Sequence, residues 1–395
     1  MRSAGRFGQP IDRMGSVIAV IAVLGLCLPF TSFSPNRILL GEPRWIFSAL
    51  GAPGALILIA AVLALIVVAV RPPALWLRLG ICGAVLVVVL LLAGRSAGVL
   101  MPAESSFARI SLASGFWVLL ASGLLLSADT LSRLKPPPGL RVGLLVLTGA
   151  GLWAILGSGA WDHLSILKEY EARASAFWRE AQQHVALAFG SLGLATLAGV
   201  PLGLVCYRHA RLSAPILNTL TIVQTIPSIA LFGLLMVPLA WIAANIPGAR
   251  AIGVAGIGSA PALVALFAYS LLPVVSNTVA GLAAVPASVR DAAAGMGMTE
   301  RQRLLRVDLP LAFPVILTGI RIVLVQNIGL ATIAALIGGG GFGVFVFQGM
   351  GQTATDLILL GALPTVLLAF AAAIVLDACV DWSEGRKNRG SGDRN

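Results

Sequence analysis

Charge is scarce in this chain: only 11% of its 395 residues are Asp, Glu, Lys or Arg, against about 25% in an average soluble domain. That excludes an ordinary water-soluble globule. Lysine occurs only at Lys135, Lys168 and Lys387, and none follows a glycine. The Gly-Lys-Ser/Thr end of a phosphate-binding loop is therefore missing, and with it an ATPase site of that kind. Histidine is limited to His163, His184 and His209, scattered without ligand spacing, so no catalytic metal is expected. Cysteine is limited to Cys27, Cys82, Cys206 and Cys379, in or beside apolar runs and without a CxxC pair. That suggests neither a disulfide framework nor a zinc site. An intramembrane enzyme would need a nucleophile with a base or a metal set, and neither His184 nor His209 has an evident catalytic partner.

What the chain has in abundance is apolar surface: 58% hydrophobic residues and a mean hydropathy of +0.95. One anchor needs only about 20 apolar residues, so hydropathy spread over nearly the whole length predicts an all-α polytopic membrane protein. Ten segments are long enough to span the bilayer, near 15–33, 49–70, 75–94, 109–128, 140–158, 184–207, 216–242, 252–276, 312–337 and 356–380. The first follows arginines as a secretory signal would, but no small-residue cleavage site comes after it, and it reads as a retained helix. The formal charge of +11 does not point to nucleic acid, because the 27 basic residues are dispersed singly between apolar runs. Counted in alternate connections, 18 share the side of the two termini, including Arg2, Arg6, Arg13, Arg386, Lys387, Arg389 and Arg394. Eight lie on the other side and Arg321 falls within a span. The positive-inside rule then predicts both termini in the cytoplasm.

Residues 159–183 carry seven charged residues with Leu164, Leu167, Tyr170, Ala174 and Phe177 at helical spacing, the pattern of an amphipathic helix on the outer surface. This connector divides the chain. Residues 1–158 form an extension of five spans joined by Pro-rich turns such as Lys135-Pro136-Pro137-Pro138, and residues 184–380 form a core whose spans carry Asn, Gln, Thr and Ser. Residues 281–311 form a loop within that core, and 381–395 a cytoplasmic tail. No internal repeat relates the halves.

The loop reads as two short helices. Ser288 with Asp291, just after Pro286, and Thr299 with Gln302 fit capping boxes, and Gly295 and Gly297 separate them. Ala292, Ala293 and Ala294 present a nearly bare surface, rimmed by Arg290, Asp291, Arg301, Arg303 and Arg306, on which another protein can dock. In the span 216–242, Asn218, Thr221, Thr225 and Ser228 recur at intervals of three and four, with Gln224 beside them. That polar stripe is either a wall of a solute path or a set of interhelical hydrogen bonds. Arg321, Gln326 and Asn327 make a second polar group, and Arg321 either serves the path or pairs inward. Gly338, Gly340 and Gly343 satisfy GxGxxG but follow a membrane helix and not a strand, so they read as a flexible turn or a short re-entrant segment near an outer gate.

Asp291-Ala292-Ala293, then Gly297, Val307, Leu309 and Pro310, resembles at every spacing the EAA loop of ATP-binding cassette (ABC) importer permeases, with Asp291 for Glu and Val307 for Ile. The resemblance implies a loop that seats in a cytoplasmic ATPase subunit and passes its closure to the membrane helices. Gln224-Thr225-Ile226-Pro227-Ser228, Tyr269-Ser270-Leu271-Leu272-Pro273 with Asn277, and the run Gly338–Gly343 resemble the permeases that import glycine betaine, choline, carnitine and related osmoprotectants. The five N-terminal spans look like the extension of a longer branch of that family. The resemblance implies a type I importer fold in a bacterial inner membrane. It also implies ATP and Mg on the partner ATPase, a second permease copy or a paralogue, and an extracytoplasmic solute-binding protein. No evident aromatic cluster marks the core spans, so a cage for a quaternary ammonium is expected on that binding protein. The alternatives are an ABC permease for another small solute such as an amino acid, or an ion-coupled secondary transporter. The second is disfavoured because Asp308, Asp356 and Asp377 lie at or beyond predicted span ends.

Overall fold

The structure, a computed structural model, describes residues 12–37, 39–101 and 107–392, with side chains as far as residue 383. Of the basic residues counted above, Arg2, Arg6 and Arg394 and the side chains of Arg386, Lys387 and Arg389 lie outside the described residues. Two compact units form, one from residues 1–137 and 146–172 and one from 138–145 and 173–395. Among the described residues, nine helices are long and apolar enough to cross a membrane, and α1 (Arg13–Cys27) is shorter.

In the first unit α1, α2 (Ile46–Val70), α3 (Leu75–Leu100) and α4 (Ser114–Leu134) pack as an up-and-down bundle, α1 and α3 each touching both α2 and α4. Small residues permit the close approach: Ala22, Ala55, Ala69 and Ala93 are fully buried, as expected where helices associate by packing in lipid. At one end of the bundle Asp12 caps α1 by accepting from the Gly15 N–H and pairs with Arg78 at 3.3 Å and Arg133 at 2.9 Å. Asp129 pairs with the same two arginines at 3.1 and 3.0 Å, so the fully buried Arg78 is neutralised in a closed ring of four charges.

The other end carries a feature absent from the sequence reading, a three-stranded antiparallel sheet of order β2-β1-β3. Strands β1 (Thr31–Ser34), β2 (Glu42–Arg44) and β3 (Arg109–Leu112) set Thr31 opposite both Arg44 and Leu112. The expected spans 15–33 and 109–128 are corrected accordingly, since residues 31–33 and 109–112 are strand. In β3 the polar Arg109 and Ser111 alternate with buried Ile110 and Leu112, a period of two that a helix cannot use. The short α6 (Ser165–Glu171) docks here, and its buried Glu169 pairs with Arg37 at 2.8 Å and Arg109 at 3.9 Å. Lys168 donates to the Ala108 carbonyl at 3.0 Å, and burial together with Arg109 pulls its ammonium below the ordinary lysine value. Helix α5 (Pro138–Gly157) follows, opened by proline in its first turn and burying none of its residues.

The second unit is built on α7 (Ala174–Arg208), α10 (Ser259–Ala283), α13 (Leu309–Ile333) and α15 (Thr355–Gly392). Helix α10 packs on α7 and α13, and α13 packs on α15. The connector 159–183 is not one surface helix. It comprises turns, α6 and the start of α7, which opens at Ala174 and runs for 35 residues, continuing through Pro201. The predicted span 216–242 is likewise corrected to α8 (Ala210–Thr225) and α9 (Ser228–Asn245). Pro227 lacks an N–H and drives Ile226 to an extended backbone, φ −68° and ψ 127°, which breaks the helix there. After α10 come α11 (Ala287–Gly295), α12 (Glu300–Arg303), a π turn over Leu304–Asp308 and α13. Pro310 has no N–H for the carbonyl one turn back, and the Leu309 N–H bonds Leu304 five residues away, so the widened turn accommodates the proline. From Glu300 to Ile337 the chain is effectively one rod. A glycine turn, α14 (Gly343–Gly351) and α15 complete the unit.

Candidate functional site

The loop between α10 and α13 has the predicted two helices, but the first cap differs. Helix α11 starts at Ala287 with Pro286 in the cap position and no side-chain cap, so Ser288 lies inside the helix. Proline's fixed φ starts the helix two residues earlier than the Ser288–Asp291 pair predicts. The second capping box is present, Thr299 accepting from the Gln302 N–H at 3.3 Å while Gln302 accepts from the Thr299 N–H at 2.9 Å.

The C-terminus of α11 explains the spacing of the motif. The Met298 N–H bonds the Ala293 carbonyl at 3.2 Å and the Gly297 N–H bonds Ala294 at 2.9 Å, the pair that defines a Schellman motif with Gly297 in the left-handed position. Its φ is +78°, and a Cβ there would meet nothing within 4 Å, so glycine is required by the backbone and not by space. Asp291, Ala292, Ala294, Gly295 and Met296 are exposed, with Met296 at 72%, whereas Ala293 is buried. The bare surface expected at all three alanines is therefore offered by Ala292 and Ala294 alone. Val307 is half-buried in the π turn, Leu309 packs on buried Leu282, Leu304, Ala312 and Ile316, and Pro310 is exposed.

Arg290, expected at the rim, turns inward. Its Nε donates to Asp308 Oδ1 at 3.0 Å, a terminal nitrogen donates to the Leu282 carbonyl, and the guanidinium lies 5.4 Å from the centre of the Tyr207 ring. Asp308, expected beside a span end, is 5% exposed.

The polar stripe divides between two roles. Asn218, Thr221 and Thr225 are exposed on α8, and both threonines bond back to their own helix, at Leu217 and Ile222. Gln224 and Ser228 are half-buried. The Gln224 amide donates to the Tyr269 carbonyl at 2.7 Å, and the Tyr269 hydroxyl donates to the Ile226 carbonyl. Two sequence motifs 43 residues apart thus clasp each other around the break at Pro227.

Asn327 is fully buried and bonds Ser191 of α7 at 2.8 Å and Ser270 of α10 at 2.9 Å, joining three helices, so it faces no open path in this conformation. Asn277 donates to the Pro273 carbonyl at 2.8 Å, and Gly319 of α13 lies so close that a Cβ there would stand 2.7 Å from Asn277 Cβ. Gln326 is half-buried. Arg321 pairs with Asp377 of α15, which also binds Arg141 of α5 at 2.6 Å, and Arg141 in turn reaches Asp381. Of its two sequence readings, inward pairing is the one the geometry has.

The glycine turn is held at three points by one face of α7. Glu180 accepts from the Gly341 N–H at 2.8 Å, Gln183 donates to the Gly339 carbonyl at 3.0 Å, and His184 Nδ1 accepts from the Phe342 N–H at 3.3 Å. Gly338, Gly340 and Gly341 all have φ between 76° and 86°. Beside them Phe177 stacks near Phe342 and Phe345, with centroids 5.5 and 6.1 Å apart, and His184 lies 5.0 Å from Phe342. The sequence reading missed this aromatic cluster because its members lie 177 to 345 along the chain. Phe342 and Phe345 are 5% and 1% exposed, so the rings pack on one another and leave no cage. Among the described residues no group of His, Cys, Asp or Glu is arranged to hold a metal ion.

A polytopic helical body with an exposed two-helix loop at the foot of a 38-residue rod has the form of a transport permease. Residues 196–389 match the family described as the binding-protein-dependent transport system inner membrane component, and residues 12–167 match the one described as the N-terminal domain of the ABC transporter permease YehY. The chain is 45% identical over 195 residues to the osmoprotectant import permease protein OsmW of Salmonella typhimurium, covering 49% of this chain and 84% of that protein. It is 36% identical over 251 residues to OsmY, an osmoprotectant import permease protein of the same organism, covering 63% and 94%. A glycine betaine/carnitine/choline transport system permease protein of Bacillus subtilis, OpuCD, is 33% identical over 216 residues, covering 54% and 86%. The chain belongs to this family of ABC importer permeases and is a multi-pass membrane protein.

Proposed function

We propose that this chain is the subunit through which a glycine betaine- or choline-type osmoprotectant enters the cytoplasm, driven by ATP hydrolysis on a separate ATPase that grips residues 281–311. Hydrolysis belongs to the partner, which holds ATP and Mg. The observation that carries the reading is the exposed, Schellman-capped helix α11 bearing Asp291, Ala292 and Gly297, set beside a rod that runs from Glu300 to Ile337. A partner that moves α11 works on the base of a helix that reaches the other end of the unit. Val307, Leu309 and Pro310 form the joint between loop and rod.

The exposed stripe of Asn218, Thr221 and Thr225 supports a further part of the reading. Polar side chains on a membrane helix face protein or water in preference to lipid, so this face of α8 meets a second permease, a copy or a paralogue, across the solute path. Gln224, Ser228, Asn277, Gln326 and Asn327 then support that path from behind. Residues 184–380 are the transport core, 159–183 the connector and 1–158 the extension. Both termini and the loop lie in the cytoplasm of a bacterium, and an extracytoplasmic binding protein delivers the solute to the opposite face. The names of the relatives above support the solute class.

Uptake of radiolabelled glycine betaine and choline into proteoliposomes holding the permease with its ATPase tests this. Uptake should require ATP and persist when ion gradients are collapsed. Uptake that follows an ion gradient without ATP would replace this reading with a secondary transporter.

A further inference from the structure

Arg290 stands directly before Asp291-Ala292-Ala293 on an exposed helix, yet its side chain leaves the docking face. Its three partners, Tyr207, Leu282 and Asp308, belong to the last turn of α7, the last turn of α10 and the π turn that opens α13. One side chain of the loop therefore holds three of the helices that make the body of the unit. The contacts suit an arginine. A planar fork with several donors meets a carboxylate and a carbonyl while its face lies over a ring, which a single ammonium cannot do at once. The Leu282 carbonyl is among the last four of α10, at the negative end of its dipole, and its backbone partner beyond the helix, the Val285 N–H, is a long 3.4 Å away. The Asp308 side chain is 7% exposed and that of Arg290 21%, so water screens the pair only in part.

The rest of α11 has little grip. It buries Ala293 alone, and an alanine side chain slides where a charged fork locks. Immediately above the loop, α10 and α13 touch, because a Cβ on Gly281 would lie 2.9 Å from the Ala312 carbonyl oxygen. A displacement of α11 thus reaches the helices at a place where they are packed closely on one another.

We propose that Arg290 is the positioning residue that transmits motion of the ATPase-gripped loop to α7, α10 and α13 through Tyr207, Leu282 and Asp308. The inference deepens the importer reading and rests on it. The permease is purified with its ATPase, reconstituted, and assayed for copurification, ATP hydrolysis and uptake of radiolabelled glycine betaine and choline. Arg290→Ala should copurify with the ATPase and hydrolyse ATP, while solute moved per ATP falls at least tenfold. Arg290→Asp should fall as far, and the exchange Arg290→Asp with Asp308→Arg should recover a third or more of the parental ratio. Asp308→Asn, which leaves the guanidinium its contacts with Leu282 and Tyr207, should give an intermediate loss and serves if Arg290→Ala fails to fold. A ratio within twofold of the parent in Arg290→Ala or Asp308→Asn overturns the proposal. So does loss of copurification and of both activities in parallel in a variant that still folds and reaches the membrane, which marks a merely structural contact. A parent protein that binds no ATPase or transports without ATP overturns the importer reading itself, and is distinguished because it appears before any substitution is made.

Discussion

At the scale of the single residue, the loop's glycine is a conformational demand. Gly297 has φ +78° with open space around its α-carbon, so a substitution there strains the backbone by about 1–2 kcal/mol for a left-handed L-residue without meeting a neighbour. Asparagine tolerates that region better than alanine or a β-branched residue. Solute uptake should therefore fall in the order Gly297, Gly297→Asn, Gly297→Ala, Gly297→Val, while all four proteins reach the membrane in equal amounts. Uptake by Gly297→Val equal to the parent would show that the Schellman turn is not what the position supplies. From the chain alone Gly295 and Gly297 were legible as the break between the two helices, whereas the left-handed turn at Gly297 shows only in the backbone. The inward turn of Arg290 was hidden too. A side chain on an exposed amphipathic helix reads as a rim charge until Asp308 and Leu282, brought under it by the fold, turn it inward.

At the scale of the element, apolar runs located the spans, and their interruptions were harder to read. The stripe from Asn218 to Ser228 keeps its helical interval across Pro227, so periodicity joined two helices that the proline separates. The cap of strands was hidden for the opposite reason, since pieces of three or four residues that pair only with one another leave no long alternating signal. Nothing in sequence spacing tells that Tyr269 closes the Pro227 break by donating to the Ile226 carbonyl while accepting from Gln224. That clasp yields a graded prediction. Tyr269→Phe removes one hydrogen bond, worth about 1 kcal/mol, and keeps the ring among Leu231, Phe232 and Leu266. Tyr269→Ala also empties the ring's space, a loss of about 3–5 kcal/mol for a large aromatic. Thermal unfolding in detergent should show a small fall for the first and a several-fold larger one for the second. Equal falls would mean that packing, not the hydroxyl, is irrelevant to this joint, contrary to its burial at 5% exposure.

At the scale of the whole molecule, the question is which surfaces meet lipid, protein or water. Apolar exposure is uninformative in a bilayer, where Leu197 at 76% and Val237 at 76% exposed are what lipid contact requires. Polar exposure is informative. Asn218, Thr221 and Thr225 stand on one face of α8, and both threonine hydroxyls are already satisfied by their own helix, so hydrogen bonding to a partner does not by itself account for them. The water-lined path proposed above does, since a hydroxyl that bonds its own backbone still presents an oxygen to solvent. Once Cys27, Cys82, Cys206 and Cys379 are replaced by alanine, single-cysteine variants separate the surfaces. In the assembled transporter, Asn218→Cys, Thr221→Cys and Thr225→Cys should react with a small water-soluble thiol reagent, and glycine betaine under turnover should change those rates. Leu197→Cys and Val237→Cys should stay unreactive, because thiolates do not form in hydrocarbon and the reagent does not enter it. If the stripe is as inert as Val237, the polar face of α8 is sealed against a neighbouring helix and the solute crosses elsewhere. If all five positions react alike, the membrane boundary drawn from hydropathy is wrong and α7 and α9 border water as well.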